Sequence, residues 1–236
     1  GHMLTDVAAL SLSAFALWMA GKPSTPEHTY GYHRAEILAA VINAVVLLLL
    51  ATWILYEAYT RFGEPSQVLG LPMLLVGLGG LAVNLASMRL LDGHADESLN
   101  VRSAYLEVMS DAISSIGVVL GGAIIWTTGW VLIDPLLSVG ISAFVIWRTW
   151  ALLSQAVHIL MEGAPTRVDA REVGSAMTGV PGVKGVHDLH IWTVSSGLPV
   201  LSAHIRLVPG CGDTHHWQHC LREAQDMLRD RFGIVH

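Results

Sequence analysis

Charge is scarce in this chain: Asp, Glu, Lys and Arg make up 14% of its 236 residues, against roughly 25% in an ordinary soluble domain. With 53% hydrophobic residues and a mean hydropathy of +0.52, that scarcity excludes a purely soluble fold. Basic excess is missing too. Thirteen Lys and Arg face nineteen Asp and Glu, for a net charge of −6, which leaves no electrostatic footprint for nucleic acid. Cysteine is limited to Cys211 and Cys220, without the CxxC spacing of a thiolate metal site. No phosphate-binding loop and no phosphorylated-aspartate motif is present, so an ATP-driven pump is disfavoured. A metalloenzyme lacks its marks as well, since there is no HExxH and no nucleophile placed beside a base.

What is present is apolar and long. Ile37–Tyr56, Pro65–Met88 and Ala112–Ile133 carry no charged residue, and each is long enough to cross a hydrocarbon core at about 20 residues per span. Two further spans contain charges: Leu4–Ala20 holds Asp6, and Val131–Leu153 holds Asp134 and Arg148 near its ends, where a long side chain can snorkel. Five spans are therefore expected, at residues 3–20, 35–60, 66–90, 103–127 and 131–154, within a membrane domain covering residues 1–160. Basic residues orient them. Lys22, Arg34, Arg89, Arg102 and Arg148 fall on one side and Arg61 on the other, which puts the C-terminal part in the cytoplasm.

Ionisable groups at membrane depth mark function by default, and two apolar helices carry pairs of them at one spacing. These are His2/Asp6 and Glu107/Asp111. Residues i and i+4 share a helical face, so each helix aims two N or O donors at one point. Four donors from two packed helices match the tetrahedral demand of Zn²⁺. Gly1-His2-Met3 also reads as the remnant of a cleaved tag, and Glu107/Asp111 also as a polar pair satisfied by Ser110, Ser114 or Asn84. Burying two carboxylates on one face is nevertheless costly unless a cation or protons accompany them. Asn43 and Asn84 are placed to bond across helices. The turn holding Asp92, His94, Asp96 and Glu97 reads equally as a solvated acidic loop and as a peripheral ion site. His28 and His33 are weaker candidates of the same kind, beside Tyr30, Tyr32 and Arg34 as interfacial anchors.

From residue 161 charge, Gly and Pro return, and residues 161–236 read as a small soluble α/β domain. A helix is predicted from Pro165 with Thr166 as N-cap and Asp169 as a capping-box partner, ended by Pro181-Gly182. Two strands, Val186–Val194 and Pro199–Val208, flank a hairpin-like loop. Thr214–Phe232 returns to helical periodicity through Trp217, Leu221, Ala224 and Leu228, with Arg222 and Asp226 as an i,i+4 pair. Ile234–His236 is a candidate third strand. The domain carries seven histidines, at 187, 190, 204, 215, 216, 219 and 236. Regular alternation places His187 and His190 on opposite faces.

In order along the chain, GHMLTDVAALSLS, YGYHRAEILAAVINA, SLNVRSAYLEVMSDAISSIGVV, LIDPLLSVGIS, LMEGAP and GVHDLHIWTVSSG resemble segments of the cation diffusion facilitator family, in its bacterial cobalt–zinc–cadmium efflux branch. The resemblance runs from Gly1 to His236. It implies a six-helix, proton-coupled exporter of divalent cations, usually a homodimer in the inner membrane, with a ferredoxin-like, metallochaperone-type cytoplasmic domain. It also implies a further helix before Gly1 and a last strand after His236. His2, Asp6, Glu107 and Asp111 then correspond to the transport site, His187 and His204 to regulatory metal ligands, and His219 is a candidate third ligand. Zn²⁺, Cd²⁺ or Co²⁺ is the implied ion, as cargo and as regulator. The chain departs from many zinc exporters at Glu107, where those have His. A carboxylate there adds charge and an oxygen donor, which broadens tolerance toward Co²⁺ or Mn²⁺. The alternative from another class is a membrane-anchored metal sensor or scaffold without transport, which has no need of mid-bilayer carboxylates.

Overall fold

The computed structural model describes residues 11–12, 14–63, 69–92, 99–195, 197–208 and 214–236, with only the backbone described at 92, 99–107 and 214–216. Helix α1 is described over residues 14–20. It is followed by α2 (Arg34–Gly63), α3 (Gly70–Asp92), α4 (Leu99–Thr128), α5 (Ile133–Leu160), α6 (Ala170–Thr178), β1 (Val183–Ser195), β2 (Leu198–Leu207) and α7 (Thr214–Phe232). Two compact units result: the described residues of Gly1–Val45 with Trp150–His236, and Val46–Thr149.

Among the described residues four helices, not five, are long and apolar enough to cross a membrane: Arg34–Gly63, Gly70–Leu91, Val108–Thr128 and Ile133–Leu160. The expected first span, 3–20, falls largely on residues outside the description. In the Val46–Thr149 unit, α3 and α4 pack closely because glycines remove the side chains that would hold them apart. A Cβ on Gly70 would stand 2.5 Å from the backbone nitrogen of Trp126, one on Gly122 would stand 2.7 Å from that of Leu74, and one on Gly77 would meet Val118 and Val119. Contacts that climb along α3 descend along α4, so the pair is antiparallel. Asn84 Nδ2 donates across it to Ser115 Oγ at 3.2 Å. Asn43 is half-buried on α2 and has no such cross-helix bond among the described residues.

The other unit contains the C-terminal domain, a two-stranded antiparallel sheet with α6 and α7 packed on one face. Val173 and Met177 of α6, Ile191 of β1, Leu228 of α7 and Ile234 form its core. Burying each of these side chains is worth about 1.5–3 kcal/mol. The N-cap of α6 is Asp169 rather than Thr166: its Oδ1 accepts from the backbone N–H of Arg171 at 2.8 Å, and a carboxylate at this position also complements the helix dipole. The helix stops at Gly179, ahead of Pro181-Gly182. In α7 the buried residues are Cys220, Ala224 and Leu228, while Trp217 and Leu221 are exposed. The inward stripe is thus rotated from the expected one, sharing only Ala224 and Leu228 with it. Asp226 pairs with Arg229 at 3.6 Å, not with Arg222, whose Nε donates to the Gln218 carbonyl. Residues 233–236 form no strand, although Leu201 N–H donates to the His236 carbonyl at 2.8 Å.

Candidate metal centre

The exposed face of the sheet carries the one group of His, Cys, Asp and Glu among the described residues whose ligand atoms converge. His187, Asp188 and His204 each offer an atom, and all lie within 4.8 Å of one another. Strand pairing explains two of the three, since His187 stands directly opposite His204, where cross-strand side chains are neighbours. A bulge supplies the third. His187 pairs with His204 and His190 with Ser202, so three steps on β1 match two on β2 and one residue is extra. Asp188 lies at φ +50°, in the left-handed region that Asp tolerates better than most residues. Its Oδ2 accepts from His187 Nδ1 and His204 Nδ1, each at 3.1 Å. The imidazoles stand edge-on with ring centres 5.3 Å apart.

The bulge also settles where His190 points. Alternation is broken between His187 and His190, and both are exposed, so they share a face instead of opposing each other. His219 is elsewhere, on α7, where its Nε2 lies 3.4 Å from Glu223 Oε1. Asp188 was not legible as a ligand in the sequence; the Gly-Val-His-Asp run at 185–188 signals a bulge only to a reader who already suspects one.

The Asp188 carboxyl is held below the ordinary carboxylate range, first by its hydrogen bond with His187, then, against an opposing desolvation effect, by the charge of His187 and the bond and charge of His204. A depressed folded value makes a carboxylate's contribution to stability present above the unfolded value and lost as pH falls through the lowered one. Two nitrogens and an oxygen around one point match a three-ligand site for Zn²⁺ or a similar ion, with a fourth position open.

In the membrane helices, Asp111 lies on α4 one turn after Glu107. Ser115 Oγ donates to the Asp111 carbonyl at 2.9 Å and accepts from Asn84, which ties this turn of α4 to α3. Ser114 Oγ donates to the Ser110 carbonyl at 3.1 Å. The Glu107 side chain, His2, Asp6, His94 and Asp96 and the Asp92 side chain lie outside the described residues. Near the start of α2, Arg34 Nη2 pairs with Glu162 Oε1 at 2.9 Å. A cavity of about 790 Å³ is lined there by His28, His33, Arg34, Glu162, His190 and Trp192.

These elements define a multi-pass membrane protein whose C-terminal domain carries a candidate metal centre. Residues 1–161 match the cation efflux transmembrane domain family and residues 165–236 the cytoplasmic domain of cation efflux proteins. The whole chain is 44% identical over 237 residues to the metal cation efflux system protein CzcD of Cupriavidus metallidurans, covering 73% of that protein. It is 40% identical over 238 residues to the cadmium, cobalt and zinc/H(+)-K(+) antiporter of Bacillus subtilis, covering 76% of it. Identity to the zinc transporter ZitB of Escherichia coli is 37% over 238 residues, covering 74%. The chain belongs to the cation diffusion facilitator family, in its cobalt–zinc–cadmium efflux branch. It is accordingly a secondary active transporter and not an enzyme, multi-pass in the inner membrane with its C-terminal domain in the cytoplasm.

Proposed function

We propose that the chain exports Zn²⁺, Cd²⁺ and Co²⁺ from the cytoplasm in exchange for protons, with Glu107 and Asp111 of α4 and His2 and Asp6 as the transport ligands. The observation that carries this reading is a carboxylate on a membrane helix, Asp111, in a turn bonded to the neighbouring helix through Ser115 and Asn84, in a chain whose full length matches cation efflux proteins. Deprotonated, the four groups bind the cation from the cytoplasmic side. Protons entering from the other side take the same groups and displace it. We further read the membrane domain as residues 1–160 of a six-helix family fold and residues 161–236 as a ferredoxin-like, metallochaperone-type domain through which a homodimer forms. Zn²⁺ uptake into inside-out vesicles under an imposed pH gradient tests the reading. A sensor or scaffold would show binding without flux.

Selectivity rests on Glu107. Glu107→His is expected to shift transport toward Zn²⁺ and Cd²⁺ relative to Co²⁺ and Mn²⁺, because an imidazole favours borderline-soft ions and one negative charge leaves the site. Competition among these ions checks it; an unchanged ratio would remove Glu107 from the ligands.

His187, Asp188 and His204 are read as a regulatory site outside the ion path, which tunes a conformational equilibrium. His187→Ala with His204→Ala should remove one bound Zn²⁺ per chain while flux persists. Asp188→Asn, which loses the carboxylate donor that also bonds both rings, should weaken that binding by at least about 10-fold. Equilibrium dialysis beside flux measurement decides both, and loss of all flux in a folded, inserted double variant would overturn the regulatory role. Metal and proton compete for the same groups, so binding should also weaken on acidification.

A further inference from the structure

We infer that Glu57, Arg61 and Asp134 form a reversible latch between α2 and α5 on the extracytoplasmic side, acting as positioning residues for the transport cycle. The side follows from the topology: α5 ends at Leu160, just before the cytoplasmic domain, so its start, with Asp134, is at the opposite surface. Arg61, in the last turn of α2, holds two carboxylates with separate nitrogens. Its Nη1 lies 2.9 Å from Asp134 Oδ2, and its Nη2 bonds Glu57 Oε1 one turn earlier on the same helix.

The two bonds differ in what a relative movement of the helices does to them. Arg61–Glu57 lies within α2 and survives any displacement of that helix, whereas Arg61–Asp134 is the one that breaks. Breaking an ion pair is prohibitive when it strands a buried charge, and Asp134 is 9% exposed. Here neither partner is stranded. Arg61 keeps Glu57, and Asp134, in the first turn of α5, keeps the positive dipole end of that helix. Each side therefore has a fallback, which brings the joined and parted states close in free energy, as a two-state element requires. A static staple would need only one carboxylate. The second one, on the same helix as the arginine, gives the bond its reversibility.

A latch predicts opposite effects from the same chemical change at the two carboxylates. Full-length protein in liposomes, with Cys211 and Cys220 changed to Ser, would carry nitroxides at Gly63→Cys and Leu132→Cys, with labelled chains kept a small fraction. Electron–electron double resonance then reads the separation of the two helix ends. Asp134→Asn should move the distance distribution to longer values, because the joined state loses its bond. Glu57→Gln should move it to shorter values and slow Zn²⁺ turnover at saturation while leaving the half-saturating concentration unchanged, because Arg61 then has no partner to part to. Shifts in the same direction, or no shift in either variant, would overturn the latch. Should Asp134→Asn fail to insert, Arg61→Lys serves instead: a single ammonium cannot hold both carboxylates through separate nitrogens, so the distances should lengthen, and unchanged distances would equally overturn the proposal.

Discussion

Replacing Asp111 with alanine should reduce metal flux to the level of empty liposomes while leaving the protein inserted at normal abundance. Asp111 follows Glu107 by one helical turn in α4, so its loss takes away a donor and a negative charge from the proposed site together. Three remaining ligands with one fewer charge bind a divalent cation less well, and one of the groups that trades metal for protons is gone. The fold has less reason to suffer. The Asn84–Ser115 bond that ties this turn to α3 is anchored on the backbone carbonyl of Asp111 through the hydroxyl of Ser115, and this tie survives the substitution. Zn²⁺ flux at matched protein content is the measurement. Rates equal to those of the parent protein would remove Asp111 from the transport site.

Gly122→Ala should weaken the α3–α4 pair, while the same change at Gly79 should not. In a helix interior, alanine is favoured over glycine by about 1 kcal/mol, so both substitutions begin with a gain. At Gly122 the new methyl would sit 2.7 Å from the nitrogen of Leu74 and 2.9 Å from its Cα. Backbone cannot rotate away as a side chain can, and forced separation of packed surfaces costs about 1–3 kcal/mol. The clash therefore outweighs the propensity gain. Gly79 has nothing within 4 Å of its Cβ position among the described residues, and the propensity gain stands alone. Thermal unfolding in detergent should show a lower midpoint for Gly122→Ala and an equal or higher one for Gly79→Ala. Equal midpoints for both would mean that the helices separate without cost.

The membrane helices were legible because a bilayer imposes one strong rule on composition. Long apolar stretches, charge-free over 37–56, 65–88 and 112–133, predict spans at 35–60, 66–90, 103–127 and 131–154, and α2 to α5 cover the same stretches with ends up to six residues apart. Helix α7 was legible in its bounds but not in its face, since Trp217 and Leu221 are large and apolar yet exposed. Side-chain hydrophobicity alone does not say which neighbour covers a residue. The cap of α6 went to Asp169 over Thr166 for a local reason: Asp169 directly precedes Ala170, where the helix begins, and from an extended backbone its carboxylate reaches the N–H of Arg171. His187 and His204 were singled out by the family resemblance, and the pairing of the two expected strands sets them opposite each other. Asp188 was not, because its place between the rings depends on a backbone torsion, and no pattern of side-chain types reports φ.

The bulge has a consequence for how the metal centre could be gained or lost. If residue 188 were simply omitted, His187 opposite His204, Leu189 opposite Ala203 and His190 opposite Ser202 would follow one another as an unbroken antiparallel ladder. One codon thus separates a hairpin regular from His187 to His190, with two facing imidazoles and no carboxylate, from the three-donor arrangement seen here. A substitution at this position keeps the kink and discards the ligand, whereas a deletion discards both and leaves the sheet and its core pairs intact. A donor carried by an insertion is a separable part: metal affinity at the candidate centre can change without altering the cross-strand partners on which the fold depends.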